Sequence, residues 1–131
     1  MSDSIWDAFA ATLLFTWDDR GVRALSGPWS DPVPGTVHVV TAWNPDGLDA
    51  GPHANAEAHR RLVDEIDGRG WSWAPAVGAS PDGAHHEISV LVRDRARAEA
   101  VALGRSFGQL AVFELDDDTQ RVVPCDGSPV R

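Results

Sequence analysis

Leu13, Phe15 and Trp17 alternate with Thr12, Leu14 and Thr16, a period-two pattern that predicts a strand over 12–17. Just upstream, Ser4 to Ala10 makes one amphipathic turn that places Trp6 and Phe9 on a protein surface. Asp18-Asp19-Arg20-Gly21 reads as a turn and Val22 to Leu25 as its hairpin partner. Ser26 to Gly35, with three prolines and two glycines, is loop. A run of β-formers, Val37 to Trp43, then stops at Asn44-Pro45, because proline fixes its own φ and biases Asn44 toward an extended backbone. After a loop over Asp46 to Pro52 the period changes. Asn55, Ala58, Leu62 and Ile66, at spacings of three and four, mark one face of a helix that opens at Asn55 and ends near Gly68 to Gly70.

Trp71 to Val77 reads as a short strand broken by Pro75, and Gly78 to Gly83 as a turn. His86 to Val92 alternates strictly, with His86, Ile88, Val90 and Val92 on one face and Glu87, Ser89 and Leu91 on the other. Asp94 is the expected N-cap of a second helix whose stripe is Ala96, Ala100, Leu103 and Phe107, closed by Gly108 in the left-handed region. Leu110 to Leu115 is the next strand, and Asp116 to Asp118 with Thr119 and Gln120 turns the chain into a last strand, Arg121 to Pro124. From Val37 the order is strand, helix, strand, strand, helix, strand. That order predicts an α+β fold, a ferredoxin-like two-layer sandwich with two helices on one face of an antiparallel sheet, plus an extra N-terminal hairpin. We read one domain over 1–131, with 1–35 as extension and hairpin and 36–124 as core. The tryptophans at 6, 17, 29, 43, 71 and 73 cluster early, so the N-terminal segment is expected to cover part of the sheet face that the helices leave bare.

Composition mostly removes possibilities. A chain of 131 residues buries roughly two-thirds of its unfolded surface and needs no disulfide. The single cysteine, Cys125, reads as a small apolar residue in a reducing compartment. The first residues lack the positive region and unbroken apolar core of a signal peptide, and no segment approaches the ~20 apolar residues of a membrane span. A cytoplasmic protein without a membrane partner is the expectation. The formal charge of −9 repels phosphate backbones, so no nucleic-acid partner is expected, although Arg93, Arg95, Arg97 and Arg105 could form a local basic patch.

Four short motifs occur in order: Thr41-Ala42-Trp43-Asn44-Pro45 ending a strand, Asn55 opening a helix, Glu87 and Ser89 as E-x-S on a strand, and Phe107-Gly108-Gln109 before the last main strand. This series, over about Ala10 to Leu115, resembles a bacterial family catalogued only as domain of unknown function 3293. Where that family usually carries tryptophan before the glutamate, this chain carries His86. The resemblance implies a fold and a motif set, and no activity.

The candidate binding residues are Thr41, Asn44, Asn55, Ser89 and Gln109, with Glu87 as the candidate catalytic group. Carboxamides present donor and acceptor side by side, which suits a nucleobase or small polar metabolite. The helix start at Asn55 adds backbone N–H groups that favour a phosphate or carboxylate. The plainer roles are capping: Asn44 at the strand-to-loop turn, Asn55 at the helix start, and Gln109 on a buried backbone group. Glu87 is either a general acid or base, or the ion-pair partner of Arg60 or Arg61. No metal and no cofactor are expected. His53 and His59 are six apart on a helix, His85 and His86 point to opposite sheet faces, and His38 lies on the strand face away from Thr41 and Trp43. Asp116 to Asp118 lacks the spacing of a calcium loop, Gly78 to Gly83 lacks a phosphate-loop lysine, and neither Ser26 nor Ser106 sits in a nucleophile elbow. The expected function is binding of a small polar ligand, a nucleotide or metabolite. The alternative is an interaction or homodimerisation module that uses exposed tryptophans and a sheet edge.

Overall fold

The computed structural model describes residues 2–26, 30, 34–116 and 119–131. Trp29 and the tip residues Asp117 and Asp118 of the expected acidic turn lie outside the described residues. In chain order the elements are α1 (Ser2–Ala10), β1 (Leu13–Asp18), β2 (Gly21–Ala24), β3 (Val37–Thr41), a 3-10 turn (Pro45–Gly47), α2 (Pro52–Gly68), β4 (Trp73–Ala79), β5 (His86–Arg93), α3 (Arg97–Ser106), β6 (Ala111–Leu115) and β7 (Gln120–Pro124). The strands form one open sheet in the order β2-β1-β4-β5-β3-β6-β7, with every neighbouring pair antiparallel. The fold is therefore mixed α and β, with three helices and a seven-stranded antiparallel sheet among the described residues.

Strand alternation sends side chains to two apolar layers. On one face Val40, Ala42, Val90, Val92 and Val112 pack against Ala58, Leu62 and Ile66 of α2 and Ala100 and Leu103 of α3. Helix α3 rides close to the sheet, and a Cβ on Gly104 would come within 2.6 Å of Val112 Cγ1. On the other face Leu14, Val37, Val39, Ala76, Leu91 and Leu115 form a second cluster. Helix α1 adds to this side, where the Phe9 ring meets Phe113 edge to face at 6.4 Å. No helix among the described residues is long and apolar enough to cross a membrane.

Several boundaries depart from the sequence pattern for physical reasons. Helix α2 opens at Pro52, three residues before Asn55, because proline at the first helical position loses nothing by lacking an N–H. Asn55 therefore sits inside the helix, its N–H donating to the Gly51 carbonyl at 3.0 Å. Asp94 does not cap α3: it takes a positive φ of 58°, and the cap is Ala96, whose N–H donates to Glu99 Oε1 at 3.1 Å. Pro75 does not break β4. It pairs with Val90 of β5, while pairing with β1 begins only at Ala76, so the missing N–H costs no ladder bond on that side. Gly78 and Ala79 belong to β4, and the turn is the Ser80–His85 segment, closed by Ser80 N–H to the His85 carbonyl at 2.9 Å.

Candidate functional site

The site is assembled where β3 runs out. Thr41 Oγ1 donates to the Ile88 carbonyl of β5 at 2.8 Å and accepts from Trp43 N–H at 3.1 Å, which bends the chain off the sheet. Asn44 then adopts a left-handed backbone, φ 50° and ψ 61°, not the extended conformation expected before proline. Asparagine tolerates this region better than other non-glycine residues, and here the conformation is held from outside. The Asn44 N–H donates to Asn55 Oδ1 at 2.9 Å, and Asn55 Nδ2 donates back to Asn44 Oδ1 at 2.9 Å. The following turn is docked on the end of α3 by Asp46 N–H to the Gly108 carbonyl at 2.9 Å. Gly108, at φ +72°, lies so close to Pro45 that a Cβ would fall 2.9 Å from the proline ring.

From this pair the polar chain continues. Asn44 Oδ1 also accepts from Ala50 N–H at 3.2 Å, and Asn44 Nδ2 donates to Glu87 Oε2 at 2.9 Å. The same Glu87 oxygen lies 3.2 Å from His85 Nε2. Ser89 Oγ donates to the Glu87 carbonyl at 3.1 Å, and Gln109 Nε2 donates to the Trp43 carbonyl at 3.0 Å. All six sequence candidates, Thr41, Asn44, Asn55, Glu87, Ser89 and Gln109, line a single cavity of about 730 Å³. Pockets that take small ligands span roughly 300–1,000 Å³. The opposite wall is apolar, with Ile5 and Phe9 from α1, Val39 from β3, and Leu110 and Phe113 from the β6 region.

Within this set the roles divide. Asn55 is buried and spends its side chain on Asn44, and Gln109 spends its amide nitrogen on main-chain carbonyls, so both hold the site together. Asn44 stands at the N-cap position of the 3-10 turn but its side chain makes no cap bond there, and Asn55 is inside its helix. Glu87 differs, because its Oε1 accepts nothing from the described residues while Oε2 takes both contacts. No arginine among the described residues pairs with it. Arg60 is held by Glu57 and Asp64, and the side-chain neighbour of Glu87 is the imidazole of His85, a residue that sequence reasoning left unassigned. The spacing of two along extended chain was the available signal, since it puts both side chains on the same side. His86, on the opposite side, packs its ring 5.8 Å from Trp43.

Asp49 also lines the cavity, while the His38, Glu114 and Cys125 groups sit elsewhere. No group of three or more metal-ligating side chains occurs among the described residues. His38 is buried beneath α3, where its Nε2 lies 2.9 Å from Glu114 Oε2. Arg97 closes a two-pronged contact on the same carboxylate at 2.9 and 2.6 Å, and its guanidinium, with the His38 ring, holds the Glu114 pKa down at about 2 against the effect of burial. This cluster uses one of the arginines expected to form a basic patch, and Arg105 is spent on the Cys125 carbonyl. Burial pushes the Cys125 thiol up, as expected of an inert core cysteine.

No curated protein and no solved structure gives a significant match. A family model does: the one described as "Protein of unknown function (DUF3293)" matches residues 40–112, more than half of the chain. The matched span contains all six sequence candidates and both sheet crossovers that bring them together. By that match the chain belongs to the DUF3293 family of proteins of unknown function.

Proposed function

We propose that this protein binds a small polar ligand in the cavity between α1 and the β3–α2 junction. The observation that carries the reading is the convergence of Asn44, Asn55, Glu87 and Gln109 on one space of about 730 Å³, with Glu87 keeping an acceptor oxygen that the described residues do not use. Both asparagines of the chain and one of its two glutamines are gathered there. A polar group that the protein itself leaves unsatisfied, beside a preformed apolar wall, is the usual composition of a metabolite site. Between the two ligand classes expected from the sequence, a nucleotide has the weaker case, because no arginine among the described lining residues meets its phosphates.

The test is a thermal-shift screen of the whole chain against nucleosides, amines and amino-acid derivatives, repeated on Ala8→Trp. Ala8 is exposed yet lines the cavity, so tryptophan there obstructs the space without disturbing the core. A ligand that raises the melting temperature of the natural chain and not of Ala8→Trp supports the reading. Equal shifts in both proteins contradict it. If binding is coupled to turnover, Glu87 is the group positioned to act as general base, and Glu87→Gln would remove turnover with the fold intact.

Two supporting inferences belong with this reading. We infer that β3, α2, β4, β5, α3 and β6 form a ferredoxin-like core, supported by their strand order β4-β5-β3-β6 and by the packing of both helices on one sheet face. A cytoplasmic location is supported by the lone buried thiol. The rival self-association module draws less support, since Trp6, Trp17, Trp43, Trp71 and Trp73 are all half-buried. The guanidinium groups of Arg69 and Arg95 both lie over the Trp71 ring, and Trp73 donates to Asp67.

A further inference from the structure

The charge character of the cavity narrows what it can hold. Its described lining carries two carboxylates, Asp49 and Glu87, and no arginine, in a chain that has no lysine. Arginines nearby in sequence are engaged elsewhere: Arg60 by Glu57 and Asp64, Arg97 by Glu114, and Arg105 by the Cys125 carbonyl. Asp49 already accepts from Gly51 N–H at 3.0 Å. Glu87 is the less committed of the two. Its side chain is 25 % exposed, Asn44 and His85 share one of its oxygens, and the other oxygen accepts nothing from the described residues.

An ionised carboxylate has about four acceptor directions, and a partly desolvated one gains most from a donor that is itself charged. An anionic ligand would meet two like charges and no fixed cation, an arrangement that opposes binding. A neutral ligand would satisfy the hydrogen bonds and leave the charge uncompensated. A cation answers both needs. The apolar wall of Ile5, Phe9, Val39, Leu110 and Phe113 then asks for a body of hydrocarbon or ring.

We propose, on the basis of the ligand-cavity reading above, that the ligand is an organic cation: a protonated amine or amidinium attached to an aromatic or aliphatic body. The charged end is recognised by Glu87 and the body by the wall that α1 builds against β6.

The experiment compares three ring compounds of one size and different charge, benzamidine, benzamide and benzoate, by NMR titration of the full isotope-labelled chain. Benzamidine is expected to bind at least about tenfold more tightly than benzamide, with benzoate weakest, and the ratio between benzamidine and benzamide is expected to collapse toward one in Glu87→Gln. Should Glu87→Gln fail to fold, high salt on the natural chain must shrink the same preference by screening. Equal affinities for the three compounds, tighter binding of benzoate, or a preference that survives both Glu87→Gln and salt overturns the proposal. If benzamide or a neutral nucleoside binds in the cavity with no advantage for benzamidine, the cation falls and the ligand cavity stands. If no compound, charged or neutral, shifts a lining-residue signal, both fall together.

Discussion

Replacing Asn55 with leucine isolates what the reciprocal amide pair contributes. The substitution keeps the number and branching of side-chain heavy atoms and removes two hydrogen bonds, Asn44 N–H to Oδ1 and Nδ2 to Asn44 Oδ1, both 2.9 Å. At about 1 kcal/mol for each bond, plus about 1–3 kcal/mol for the stranded Asn44 N–H, the gross cost is about 3–5 kcal/mol. Asn55 is 4 % exposed on the stripe it shares with Ala58 and Leu62, so an apolar replacement recovers part of that, leaving a net loss of about 2–4 kcal/mol. For a domain of this size the melting temperature should fall by about 4 °C per kcal/mol. Urea unfolding measures the loss directly, with the slope unchanged because the surface exposed on unfolding is the same. Asn44→Ala removes one of these two contacts, the Asn55 Nδ2 bond to Asn44 Oδ1, together with the Ala50 and Glu87 contacts of the Asn44 amide, and leaves the Asn44 N–H bond in place, so the double variant should cost less than the sum by about 1 kcal/mol for the shared bond. A loss for Asn55→Leu below about 0.5 kcal/mol, or strict additivity with Asn44→Ala, would refute the view that this pair holds the left-handed turn in place.

The Glu114 carboxyl, held at about 2 against an ordinary value of 4.5, gives the protein stability that is fully present above about pH 4.5 and is lost as the pH falls toward 2. Allowing for an Arg97 side chain that is half exposed, its worth is about 2–3 kcal/mol near neutrality. Glu114→Gln should therefore be destabilised by about that amount at neutral pH and approach the natural protein in acid; a difference that does not vary with pH would contradict the assignment. Gly104→Ala should cost about 1–3 kcal/mol, because the added methyl would sit 2.6 Å from Val112 Cγ1 and 3.3 Å from Cys125 Sγ. Chemical denaturation checks it, and a neutral result would show that α3 can lift off β6 freely.

Local patterning carried most of the element order. The alternation of 86–92 and the three-and-four spacing of Asn55, Ala58, Leu62 and Ile66 correspond to β5 and to the buried stripe of α2. What patterning missed was set by partners distant in sequence. Asp94 has the chemistry of a cap, yet the chain leaving β5 passes it in the left-handed region and Ala96 takes the role with help from Glu99. Pro75 looks like a strand breaker until the register shows that β1 starts pairing one residue later.

The same contrast holds at the site. Asn44-Pro45 marked its place, because a strand stopped by proline is visible in one dimension. The Asn44 backbone conformation was not visible there: it follows from Asn55, eleven residues on, and the Asn44 contact with Glu87 spans 43 residues. Helix α1 shows an amphipathic turn in sequence, but only the fold brings Ile5 and Phe9 opposite the carboxamides. The cluster of His38, Arg97 and Glu114 left no spacing signal at all, since β3, α3 and β6 each supply one member.

The central claim is that the carboxamide-lined space takes up a small molecule, and the side-chain NH₂ signals of Asn44, Asn55 and Gln109 report on it directly. In a two-dimensional ¹⁵N–¹H spectrum of the whole chain, titrated with a compound selected by the thermal-shift screen, these signals should move together and saturate, while that of Gln120, outside the cavity lining, stays in place. A compound that stabilises the protein yet leaves the three signals unmoved, or moves only residues elsewhere on the surface, would contradict the account.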